Sequence, residues 1–346
     1  MEISVNRERL IKYCQDFIAV PSPVSYYEEI HPFLEAEATK LGCKVTYDRK
    51  RTGYITLEGK DNSKTVCMGA HLDTIGLVIR HITDEGHLEV RQLGGINYSS
   101  IEGEGVTIHT RDGRSYRGMV ICKSHSVHVF DDARTAPRDE LHMEVILHED
   151  VKSKEDVMNL GIDHGDVISI DPHFEYTPSG YVKSRFIDDK ASAAALFEMI
   201  NYLKENNLKP KYKTLLAFPL YEEIGHGGAY VPEEVSEYVA LDIGLIGPDY
   251  HGNETTVSIC AKDNYSPYDR GLTNRIISQA KKANLNYCVD VFYRYGTDAN
   301  AAIRAGNNVY AAAFGMAVIN THGMERCHVS AIEETAKLAI AYALDI

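Results

Sequence analysis

The chain of 346 residues is ordinary in composition, with 44% apolar and 25% charged residues, which predicts a folded globular protein without low-complexity tracts. Its net charge of −14 argues against nucleic acid or an anionic membrane as a partner, because both reward clustered Lys and Arg. The seven cysteines are odd in number and scattered with no C-x-x-C pair, which predicts reduced core residues, and no apolar run is long enough to span a bilayer.

The N-terminus, Met1–Leu10, is charged where a signal peptide would carry its apolar stretch, so a cytoplasmic location is expected. Asn6 is placed to cap a helix with apolar positions Leu10, Ile11, Cys14, Phe17 and Ile18, stopped by Pro21-Ser-Pro23. Ser25 and Glu28 have the spacing of a capping box for a second helix that ends near Leu41-Gly42, bent early by Pro32. Strands are expected at 44–47 and 54–58. A third, Thr65–Ala70, runs straight into His71-Leu-Asp73.

From about Gly76 to Tyr181 the texture changes to alternating stretches at 77–80, 88–91, 105–110 and 118–122. Turn chemistry at Asp84-Glu-Gly, Arg111-Asp-Gly and around Pro137 separates them, with little helical periodicity. This predicts a small β domain. Because alternating helices and strands resume after it, the segment reads as an insertion into an α/β domain formed by residues 1–75 and 182–346.

A strong helix opens at Phe186-Ile-Asp-Asp-Lys190, with Asp188 or Asp189 at its N-terminus, where an acid is an ordinary cap. The apolar run Leu215–Leu220 then delivers Glu222 and Glu223 side by side into a glycine-rich loop. Neighbouring side chains of an extended segment point to opposite sides, so one glutamate is free to bind a metal while the other faces a water. Tyr238–Leu241 is another apolar run ending in an acid, Asp242. Strands at 256–260, 288–292 and 309–314 and helices from Asp269 to Asn284 and at the C-terminus complete a mostly parallel α/β pattern, with Gly296-Thr-Asp-Ala-Asn300 between them.

The acids and imidazoles at element ends are His71, Asp73, Asp188, Glu222, Glu223, Asp242 and His328, with His322 as the reserve histidine. A single one of these would be a cap or a paired loop residue. Several at the strand ends of one α/β sheet converge on one edge, and mixed imidazole and carboxylate ligands without cysteine suit zinc, cobalt or manganese.

His71-Leu-Asp-Thr-Ile-Gly76, Asp188-Asp-Lys190, Glu222-Glu-Ile-Gly225, Leu241-Asp-Ile-Gly244 and Gly296-Thr-Asp-Ala-Asn300 resemble the ordered motifs of the M42 metalloaminopeptidases, as does Pro21-Ser-Pro23 followed by Glu28 and Glu29. The resemblance spans nearly the whole chain. It implies a zinc-peptidase-like α/β fold with helices on both faces of a mixed, mostly parallel sheet and an inserted small β-barrel domain at 76–181. It implies an aminopeptidase for short peptides, assembled as a homo-oligomer and commonly a dodecamer built from dimers. It further implies two divalent ions bridged by Asp188, with His71 and Asp242 on one, Glu223 and His328 on the other, Glu222 as general base and Asp73 holding His71 through its other ring nitrogen. Two such ions polarise a scissile carbonyl and lower the pKa of a shared water.

The sequence departs from the family pattern at Lys190, where Arg is usual, and around Cys327-His-Val-Ser, where His-Ser is usual. Three other functions compete. A glycosidase also uses paired glutamates but needs aromatic platforms for sugar rings, and the chain has no Trp. Another two-metal amide hydrolase, a deacylase or carboxypeptidase, would use much the same ligands. A non-catalytic scaffold is at odds with the full set of candidate ligands.

Overall fold

A computed structural model describes residues 3–346, which divide into two compact units. One runs up to Asp73 and resumes at His173, and the other is Thr74–Pro172. The sequence placed the second crossing at 181. The difference arises because Glu175–Tyr176 and Tyr181–Ser184 pair with each other, and the latter pairs antiparallel with Glu325–His328, so these short strands belong to the first unit.

The first unit is built on a mixed sheet of nine strands. At its centre Tyr212–Phe218, Asp61–Gly69, Val235–Leu241 and Tyr310–Val318 lie side by side and parallel. Val257–Lys262 joins antiparallel to the last of these and carries Tyr287–Val291, while Gly53–Leu57 and Val45–Tyr47 extend the opposite edge antiparallel.

Alternation along the central strands divides their side chains between two buried faces. Val66, Met68, Val239, Leu241, Ala312 and Phe314 pack into the larger core, against the helices Arg7–Ala19, Ile187–Glu205, Arg270–Lys282 and Val329–Leu344. Cys67, Tyr238, Ala240, Ala311 and Ala313 face the other way, onto the short helix Asp298–Arg304, whose Ala299 and Ala302 let it lie close. Both faces are therefore covered, which is why these strands read as continuous apolar runs.

The first helix follows its expected pattern. It spans Arg7–Ala19, buries all five predicted apolar positions, and Asn6 Oδ1 accepts the N–H of Arg9 at 3.1 Å. The second, Ile30–Lys40, begins later than expected and has no side-chain cap, because Ser25 sits in a left-handed turn with φ 75°. The predicted capping box does not form. All seven cysteines are unpaired, and six of them are buried.

The second unit is a closed barrel of six strands, Gly76–Ile82, Leu88–Leu93, Gly105–His109, Ser115–Cys122, Met143–Leu147 and Val167–Ile170, each antiparallel to its neighbours. Leu77, Ile79, Leu88, Val90, Val106, Ile108, Val120, Val145 and Ile168 fill it, and closure leaves no free strand edge. A short helix at Lys154–Asn159, capped by Ser153, is too brief to show a period and was not expected. No helix of the described residues is long and apolar enough to cross a membrane.

Candidate metal centre and active site

The four central parallel strands end at the same edge, and the residues just beyond them form one buried cluster. Asp61–Gly69 leads to His71 and Asp73, Tyr212–Phe218 to Glu222 and Glu223, Val235–Leu241 to Asp242, and Tyr310–Val318 to Thr321 and His322. Asp188 and Asp189 come from the start of Ile187–Glu205. Their backbones are not helical (Asp188 φ −72°, ψ 104°; Asp189 φ −125°, ψ 23°), so the regular helix begins only at Lys190. Both acids are thus freed from capping that helix and aim at the sheet edge.

His71 Nε2 lies 3.2 Å from Asp188 Oδ1 and 3.6 Å from Glu222 Oε2. Its Nδ1 lies 2.9 Å from the carbonyl oxygen of Asp73, which only accepts, so Nδ1 carries a proton and Nε2 is the nitrogen turned toward the carboxylates of the cluster. The carboxylate of Asp73 stands beside the same nitrogen, with Oδ1 at 3.5 Å from His71 Nδ1, and it also accepts the backbone N–H groups of Glu222 at 3.1 Å and Glu223 at 3.0 Å.

His322 Nε2 lies 3.4 Å from Glu223 Oε2 and 3.6 Å from Asp188 Oδ2. His328, the histidine favoured on sequence, is not brought to the cluster. It is the N-cap of Val329–Leu344, its Nδ1 accepts the N–H of Ser330 at 3.2 Å and its Nε2 donates to the carbonyl of Ser179 at 3.1 Å. With both ring nitrogens engaged, no lone pair is left for an ion.

Sequence reasoning assigned no role to three further residues. Glu325, buried, accepts the N–H groups of Asp188 at 3.1 Å and His322 at 3.2 Å, and so orients two cluster residues at once. Asp298, in the Gly296-Thr-Asp motif, accepts the N–H of Gly228 at 2.6 Å and pins the loop that follows the glutamates. Thr321 donates to Asp188 Oδ2 at 3.3 Å. The signal that could have found Glu325 is an acid three residues after a loop histidine.

The cluster is short of positive charge. Burial pushes Asp242 up to about 8 and Glu223 up to about 7, and raises Glu222 and Asp189 well above the carboxylate range. Burial opposes charge at the imidazoles too, yet the hydrogen bonds of Asp188 and Asp73 raise His71 well above its usual value, and Glu223 and Asp188 lift His322 to about 10. Buried Asp189 Oδ1 has no hydrogen-bond partner. Ligand atoms of His71, Asp188 and Glu223 lie within 4.8 Å of one another, as do those of His71, Glu222 and Asp242, and those of Asp188, Asp189 and Asp242. Oxygen and imidazole donors this close, with excess acid between them, fit a divalent cation.

The sequence pattern of the M42 glutamyl aminopeptidases matches residues 52–338. The chain belongs to this family. The Bacillus subtilis (strain 168) protein YhfE is 36% identical over 335 residues, which cover 96% of this chain and 97% of YhfE. The lysyl aminopeptidase of Pyrococcus furiosus is 23% identical over 306 residues, 84% of each chain. Among solved structures, the Pyrococcus horikoshii TET1 peptidase, which can assemble into a tetrahedron or a large octahedral shell, superposes with a TM-score of 0.84 at 25% identity, covering 97% of this chain and 100% of that one. This M42 protein is therefore a peptide hydrolase of the aminopeptidase class. That membership separates it from the glycosidase reading.

Proposed function

We propose that this M42 aminopeptidase removes N-terminal residues from short peptides at a two-metal site. Asp188 would be shared between the two ions, His71 and Asp242 would hold one, Glu223 and His322 would hold the other, and Glu222 would act as the general base. The observation that carries the reading is the convergence of His71, Glu222, Glu223, Asp242 and His322 from four adjacent parallel strands around Asp188. His322 takes the place that the family resemblance assigned to His328.

The ions, when bound, supply Lewis acidity toward the scissile carbonyl and toward a water. The chain supplies the rest. His71 is held in the tautomer that presents Nε2, and Glu325 fixes the backbone of both Asp188 and His322. Glu222 and Glu223 share an anchor in Asp73, yet their side chains are 14% and 3% exposed. The more open Glu222 is thus the one suited to take a proton from water and deliver it to the leaving amine, while Glu223 stays inside as a ligand.

Like the TET1 peptidase, the chain is proposed to form a closed homo-oligomer that admits short peptides. Zinc, cobalt and manganese all suit the donor set. The test is release of N-terminal residues from peptides with free and with acetylated N-termini, before and after a chelator and after each metal is restored. Equal cleavage of both peptides, or full activity in chelator, would overturn the proposal.

A further inference from the structure

We infer that the cavity beside the metal ligands contains a carboxylate-binding subsite, in which Arg304, seated on Tyr265 and assisted by Arg294, takes a carboxylate of the substrate. The inference rests on the aminopeptidase reading and names the chemistry that its cavity selects.

The cavity, about 600 Å³, has Asp188, Glu222, Glu223 and Asp242 in its lining together with Arg294 and Arg304, the only Lys or Arg residues there. In a chain of net charge −14, most arginines sit against an acid, as Arg7, Arg9, Arg117 and Arg326 do. Arg294 and Arg304 contact aromatic rings instead, and among the described residues neither pairs with a carboxylate. A substrate carboxylate entering a wall of acids needs a local cation, and these two are placed to supply it.

An exposed arginine is ordinarily a solvated charge. Arg304 differs in being mounted on a built support. Its guanidinium lies 4.0 Å from the centroid of the Tyr265 ring. Asp263, fully buried, accepts from the N–H of Tyr265 at 2.8 Å, the N–H of Ser266 at 3.1 Å, Asn300 Nδ2 at 2.8 Å and the Tyr268 hydroxyl at 3.0 Å. Asn300 stands one turn before Arg304 on the helix Asp298–Arg304, so one buried carboxylate ties the tyrosine and the arginine's helix together. Gly296 leaves room for the ring, since a Cβ there would come within 2.9 Å of Tyr265 Cε2. A guanidinium ordered in advance gives up less freedom on binding, and its planar fork matches a carboxylate.

A peptide offers such a carboxylate from two sources, the side chain of an N-terminal Glu or Asp and the free C-terminus of a dipeptide. Two substrate pairs separate them in the full chain with added divalent metal: glutamyl- against leucyl-p-nitroanilide, and Leu-Leu against Leu-Leu-amide. In one pair, R304A should lower kcat/KM roughly 10–100-fold for the carboxylate member and leave the neutral member within about 3-fold. R304K should recover part of the loss, and Y265L should lose less in the same direction. The affected pair names the source. Equal effects on both members of each pair, or none, would overturn the subsite. Calorimetric binding of L-glutamate against L-glutamine, and of L-leucine against leucinamide, reads the same contrasts without turnover. A protein that binds the carboxylate through Arg304 but cleaves no free N-terminal residue would refute the aminopeptidase reading and leave this one standing.

Discussion

Asp73 Oδ2 accepts the backbone N–H of Glu223 at 3.0 Å, and the other oxygen of the same carboxylate accepts that of Glu222 at 3.1 Å. One buried aspartate thus sets the direction in which both glutamates leave the sheet. Asp73→Asn turns one acceptor oxygen into a donor and places it against an N–H. Turnover should fall roughly 10–100-fold, the magnitude seen when supports of a metal site are removed, while the circular dichroism of the folded protein is kept. Wild-type kcat in the Asn variant would remove Asp73 from the positioning of Glu222.

His322 and His328 separate by metal content. His322→Ala removes an imidazole that faces Glu223 and Asp188, so elemental analysis should find one metal position emptied or weakened. His328→Ala removes a helix cap and should keep the wild-type metal content, with a stability loss of about 0.5–2 kcal/mol. The opposite pattern would restore His328 as the ligand.

Glu222→Gln keeps the shape of the side chain and removes its basicity. Metal content should be unchanged and kcat should drop roughly 10²–10⁴-fold. A glutamine variant with full metal and full activity would exclude Glu222 as the base.

Metal affinity should rise with pH through the neutral range. Asp242, pushed up to about 8, and Glu223, pushed up to about 7, hold protons below those values, and a cation must displace the protons before it binds. Titration with zinc from about pH 6 to about pH 9 should therefore show tightening affinity with proton release. An affinity independent of pH would mean that these carboxyls are not the ligands.

Much of the fold was readable because its signals are local. Asn6 with Leu10, Cys14 and Phe17 marks a helix by spacing alone, and Tyr238–Leu241 marks a doubly buried strand by its unbroken apolar run. The capping box at Ser25 failed because a positive φ at that residue overrode a pattern that assumes an extended backbone.

At the centre, the sequence by itself determined which chemical groups stand at strand ends, since His71, Glu222, Glu223 and Asp242 each follow an apolar run directly. It offered two histidines, His322 and His328, six residues apart in one segment, and favoured His328 for its place directly before the last helix. Only the tertiary structure shows which of them faces the cluster. The pairing of Glu325–His328 with Tyr181–Ser184 carries His328 to the carbonyl of Ser179, and the turn before that strand swings His322 toward Glu223. The reach of Asp73, which stands against His71 and also holds the backbone of both glutamates, likewise depends on strands far apart in sequence lying side by side. Identity and spacing along a chain record what a residue is able to do. Which partner it meets is set by long-range pairing, and that information resides in the packed sheet.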